Sequence, residues 1–121
     1  MASLLDRLRN HYGRSSEELE ADELHERAGA IGATHVRDVQ ERSLADLSGV
    51  IRTLTHTCSS NPPHLAVELF DGTGSVQLVW LGRRAIRGIE PGVYLRAHGR
   101  VTRRAGVLTI YNPRYEILPR G

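Results

Sequence analysis

The chain has 121 residues, 40% of them hydrophobic and 25% charged, the balance of one globular domain with a single core rather than of a disordered tail. Its one cysteine, Cys58, excludes an intrachain disulfide and a cysteine-cluster metal site, and the absence of any lysine excludes a Walker A lysine, a pyridoxal Schiff base and a kinase lysine. The net charge of +2 hides a division, because residues 1–48 hold six Arg against ten acids and residues 49–121 hold ten Arg against four.

The chain opens with two predicted helices. Ser3 with Asp6 has the spacing of an N-terminal cap, Leu4, Leu5, Leu8 and Tyr12 form one stripe, and Gly13 supplies a stop. Ser15 with Glu18 repeats the cap, and the acidic run Glu17, Glu18, Glu20, Asp22 and Glu23 suits the positive end of a helix dipole. The second stripe is thin, resting on Leu19, Leu24, Ala28 and Ile31 before Gly29 and Gly32 break the helix. Residues 1–33 therefore read as a helical appendage and residues 34–121 as the main domain with a C-terminal tail.

From about Leu47 the periodicity becomes two. A first strand is expected from Leu47 to Thr57, and His64–Phe70 alternates through Leu65, Val67 and Leu69. Asp71-Gly72-Thr73-Gly74 is a hairpin turn leading into Ser75–Leu81, where Val76, Leu78 and Trp80 alternate. The connector Gly82–Gly92 has room for a helical turn, with Ile86 and Ile89 expected to cap one end of a barrel and Arg83, Arg84 and Arg87 left in water. Val93–Thr102 and Val107–Tyr111 complete five strands. This order predicts a mainly β fold, a five-stranded OB-fold Greek-key barrel, which also removes most exposed sheet edges.

The run Glu68 to Trp80, with its Asp-Gly-Thr-Gly, resembles the OB-fold nucleic-acid-binding module of the tRNA anticodon-binding type, and is similar to the wedge domain of the RecG helicase. The Pro91-Gly92-Val93-Tyr94-Leu95 run through Gly99 and the ending Asn112-Pro113-Arg114-Tyr115-Glu116 extend that resemblance over roughly residues 44–118, as in small stand-alone actinobacterial proteins of this type. It implies a nucleic-acid-binding module. It does not carry helicase activity, for which no ATPase motif is present, and the second aromatic group of the wedge is missing after Trp80, where Leu81, Gly82 and Arg83 follow.

Between Gly72 and Tyr115 eight Arg stand against one acid, Glu90, an excess that attracts polyanions unless it is merely a solvated face. OB-folds bind single strands over the second and third strands, walled by the loops between strands one and two and strands four and five. On that frame His56 and His64 flank the first loop, Arg103 and Arg104 lie in the second, and Gln77 faces out from the third strand. Arg52, Arg83, Arg84, Arg100 and Arg114 are further phosphate contacts, since guanidinium pairs with phosphate and also stacks. For stacking the candidates are Tyr111, Tyr115 and Trp80, although alternation favours the core for Trp80. Glu68 points outward and would repel phosphate.

Catalytic readings fail on spacing. Asp71-Gly72-Thr73 has no second copy to share a proton as in aspartic proteases, and Gly72 and Gly74 lack the third glycine of a dinucleotide fingerprint. His56, Cys58 and His64 match no familiar zinc spacing. The expected role is a non-enzymatic binder of DNA or RNA, single-stranded or structured, without cofactor or metal. The alternative is a protein-interaction adaptor that docks a partner through the barrel or the acidic N-terminal helices, with a protein partner or self-association through those helices. No apolar run approaches the roughly 18 residues of a membrane span and Met1–Arg9 lacks the apolar stretch of a signal peptide, so the expected location is the cytoplasm.

Overall fold

The computed structural model describes residues 33–57 and 63–119. The two expected N-terminal helices and the loop carrying Cys58 lie outside the described residues. Among the described residues no helix is long and apolar enough to cross a membrane.

Alternating apolar residues become strands where the period of two predicts them, and the strands run longer at one end. After a single 3-10 turn, Val36–Asp38, the chain forms β1 (Leu44–Thr57), β2 (His64–Phe70), β3 (Ser75–Leu81), β4 (Tyr94–Arg104), β5 (Val107–Tyr111) and β6 (Arg114–Ile117). Six strands thus replace the expected five. The additional β6 continues β5 past Asn112, whose backbone takes a positive φ of 51°, and pairs with β4 over Leu95–His98.

Antiparallel pairs β1–β2, β2–β3, β4–β5 and β1–β4, with the parallel pair β3–β5, close five strands into a ring. Closure depends on β1. Its first half, Leu44–Val50, pairs with β4, its second half with β2, and Val50 faces both Tyr94 and Phe70. Two local devices allow one strand to serve both neighbours. At Gly49 an added methyl would overlap the carbonyl oxygen of Phe70, so only glycine permits so close an approach. Between Ile51 and Thr53 the register shifts, leaving Arg52 as the extra residue of a bulge that bends the strand.

The ring encloses Leu47, Ile51, Leu65, Val67, Leu69, Val76, Leu78, Leu95, Val101 and Ile110, all at most 1% exposed. Each such side chain contributes about 1.5–3 kcal/mol by leaving water. Ile86 and Ile89 close one end, as their sequence position predicts, but the connector makes hydrogen-bonded turns, Ile89 N–H to Ile86 C=O and Val93 N–H to Glu90 C=O, instead of a helical turn.

The opposite end is held by the hairpin turn. Asp71 is fully buried, and its carboxylate accepts hydrogen bonds from Val36 N–H (2.7 Å), Thr73 N–H (2.8 Å), Thr73 Oγ1 (2.7 Å) and Gly74 N–H (3.1 Å). One side chain therefore both shapes the turn and clamps the 3-10 segment across the end of the ring, setting buried Val36 against the core.

Candidate nucleic-acid interface

The strand registers define an outer surface running over β2, β3 and β5. Its central row is Thr53, Glu68, Gln77, Thr109 and Thr102, and a neighbouring row is Thr55, Ala66, Val79 and Tyr111. Phe70, at the end of β2 opposite Ser75, lies on the same surface because Leu65, Val67 and Leu69 take the inner positions. Phe70 and Tyr111 are both half-buried, with part of each residue left to solvent.

Each ring carries a guanidinium. That of Arg52, on the β1 bulge, lies 3.6 Å from the centroid of Phe70. That of Arg104 lies 5.9 Å from the centroid of Tyr111, and its Nη1 donates to the tyrosine hydroxyl at 2.8 Å. Cation–ring contact of this kind orients the charge against the ring. Two strand spacings and about four residues of rise separate the rings, a diagonal on the order of 15 Å, or roughly three nucleotides of extended strand. Gln77 and Glu68, cross-strand neighbours, lie between them.

The sequence candidates do not all gather here. Arg52, Gln77, Arg104 and Tyr111 share this surface, with His64 at the start of β2 on its rim. His56 shares the inner side with its register partner Leu65 and lines a recess of about 610 Å³ at the end of the ring with Arg84, Ile86 and Ile89. Arg83 and Arg84 are exposed in the connector at that end. Arg103 lies at the end of β4 rather than in a loop, and its Nη1 donates to the Gly106 carbonyl at 3.1 Å. The start of β2 at His64 meets the end of β3 at Leu81, whereas the Ala105-Gly106 turn leads into the start of β5, which runs parallel to β3 and so lies at the other end of the strands.

Trp80 is a correction. It is 5% exposed, pairs with Leu65 on the inner face, donates its Nε1–H to the Pro113 carbonyl at 3.2 Å and meets the Tyr115 ring edge-on at 5.7 Å. A ring so enclosed has no face for a base. The same alternation that turns Trp80 inward turns Phe70 outward.

A second outer surface lies over the first half of β1, β4 and β6. There Arg96 grips Asp46 through two bonds, Nε to Oδ1 at 2.8 Å and Nη2 to Oδ2 at 2.5 Å. The bidentate bond from Arg96 holds the Asp46 carboxyl below the usual carboxylate range, with burial opposing it, and the Arg96 guanidinium is correspondingly harder to deprotonate. Arg100 donates Nη1 to the Arg42 carbonyl at 2.6 Å, and Arg114 stands on β6 opposite His98.

No curated protein matches the chain in sequence. Among solved structures it is similar to RecG bound to a three-way DNA junction (22% identity, TM-score 0.58, 72% of this chain and 12% of that one). It is also similar to the p204 HINb domain (16%, 0.58, 76% and 50%) and to a Replication Protein A heterotrimer bound to ssDNA (16%, 0.53, 74% and 75%). The chain thus spans only a small part of RecG and half of the HINb chain, and at these identities the likeness is one of fold. The sequence profile of the tRNA anti-codon family, the OB-fold nucleic acid binding domain, matches residues 46–118. Ring closure, strand order and this match agree, and the chain belongs to the OB-fold nucleic acid binding domain family.

Proposed function

We propose that the chain is a non-enzymatic module that binds single-stranded DNA or RNA across the outer surface of β2, β3 and β5. The observation that carries this reading is the pair of partly exposed rings, Phe70 and Tyr111, each with an arginine lying on it. Stacking on an aromatic ring contributes on the order of 1–3 kcal/mol per base and tolerates any sequence; at Phe70 the base stacks on the Arg52 guanidinium plane that covers the ring, and Arg104 meets the phosphates between stacked bases. Glu68 in the centre of the surface repels phosphate, which favours a strand lying with its bases against the protein and its backbone turned outward. Duplex DNA, whose bases are already stacked, gains nothing from the rings. The structures of RecG with a DNA junction and of Replication Protein A with ssDNA support a nucleic-acid partner for this fold.

Fluorescence anisotropy with labelled single-stranded and duplex oligonucleotides at two salt concentrations tests the reading. Binding should favour the single strand and weaken as salt rises, because each neutralised phosphate releases counterions. No binding of the single strand at low salt would overturn it.

A further inference from the structure

Among the described residues, β6 is paired on one side only, with β4. In an antiparallel ladder successive residues turn their backbone N–H and C=O alternately toward and away from the partner strand. Leu118 N–H donates to the Tyr94 carbonyl at 2.9 Å, one step beyond the pair Leu95–Ile117. Counting back by twos, Glu116 and Arg114 also face β4, and the backbone groups of Tyr115 and Ile117 point away from it. All four residues of β6 are exposed, Tyr115 to 40% and Ile117 to 43%.

An edge that presents backbone donors, acceptors and apolar side chains is a template for another strand. Many protein edges are blunted by charges of one sign. Here the two charged residues, Arg114 and Glu116, are opposite in sign and two apart, a spacing that complements itself when the strand is reversed.

We infer that β6 pairs antiparallel with β6 of a second copy of this chain, about a two-fold axis through Tyr115. Backbone groups that point outward must meet others that point outward, so Tyr115 can oppose only Tyr115 or Ile117 of the second copy. With Tyr115 opposite Ile117, Glu116 faces Glu116 and the like charges repel. With Tyr115 opposite Tyr115, Arg114 faces Glu116 twice, and charge selects this register. Four residues a side make a small contact, so the dimer is weak and reversible.

Sedimentation of the full chain over a concentration series tests this. Mass should rise from monomer toward dimer, Arg114→Glu or Glu116→Arg alone should lower association about tenfold, and the double swap R114E/E116R should restore it. Both side chains are exposed, and thermal melts check that each variant is folded. Hydrogen exchange gives a second reading: the Tyr115 amide should slow with concentration while that of Glu116, already bonded to β4, should not. A monomer at every concentration, or a dimer indifferent to both single swaps, would overturn the inference.

Discussion

The two outer surfaces of the ring are built from the same residue types and differ in what their arginines rest on. Over β1, β4 and β6 the guanidiniums of Arg96 and Arg100 are engaged by a carboxylate and a backbone carbonyl. Over β2, β3 and β5 those of Arg52 and Arg104 lie on aromatic rings. The Asp46 carboxylate neutralises Arg96 and takes up its donors, whereas a ring face by itself offers a guanidinium no opposite charge. Counting arginines therefore does not locate an anion-binding surface; the partner of each arginine does.

Both surfaces depend on ring closure, so the largest effect comes from opening the ring. Gly49→Ala forces β1 off the Phe70 carbonyl and should cost about 2–4 kcal/mol, read as a lower midpoint in chemical denaturation. The comparison sharpens with Phe70→Ala, which should weaken single-strand binding about tenfold in anisotropy titrations while the fold persists. A smaller effect should follow Arg104→Ala, a loss of a few-fold in affinity and a decrease of about 0.7 in the slope of log affinity against log salt; Arg100→Ala, on the other surface, should leave that slope nearly unchanged.

The smallest effect is on pH dependence. Arg96 lowers the Asp46 pKa in the folded state, so this pair adds stability above the ordinary carboxylate value of about 3.9 and loses it as pH falls through the lowered folded value. Asp46 and Arg96 are each about a third exposed, at 36% and 34%, so solvent keeps the contribution small. The stability difference between the chain and Asp46→Asn, followed by thermal melts from neutral pH into acid, should be greatest at neutral pH and vanish in strong acid.

Much of this was legible from alternation. The bounds of β2 and β3 follow from Leu65, Val67 and Leu69 and from Val76, Leu78 and Trp80, and the same rule separates the two faces of β4. β1 is legible from Leu47 to Thr57 but begins three residues earlier, at Leu44, whose exposed side chain marks no buried face. The short β6 follows the turn at Pro113 and carries no buried side chain to mark it. The Asp71 clamp could not be read locally, because a hairpin turn accounts for Asp-Gly-Thr-Gly by itself and Val36 lies 35 residues away. Which arginines face rings and which face carboxylates is a matter of register, and sequence spacing does not fix register across a bulge.

The divided pairing of β1 also bears on how the chain folds during synthesis. Its second half meets β2 almost at once, so β1, β2 and β3 can form a meander as soon as residue 81 has emerged from the ribosome. Its first half must wait for partners as distant as Arg100, opposite Leu44, and until then presents an unsatisfied strand. Such long-range closure is intrinsically slow and exposes sticky edges to other nascent chains. Pausing of translation between β3 and β4 would prolong that exposure, whereas rapid delivery of residues 94–104 would shorten it.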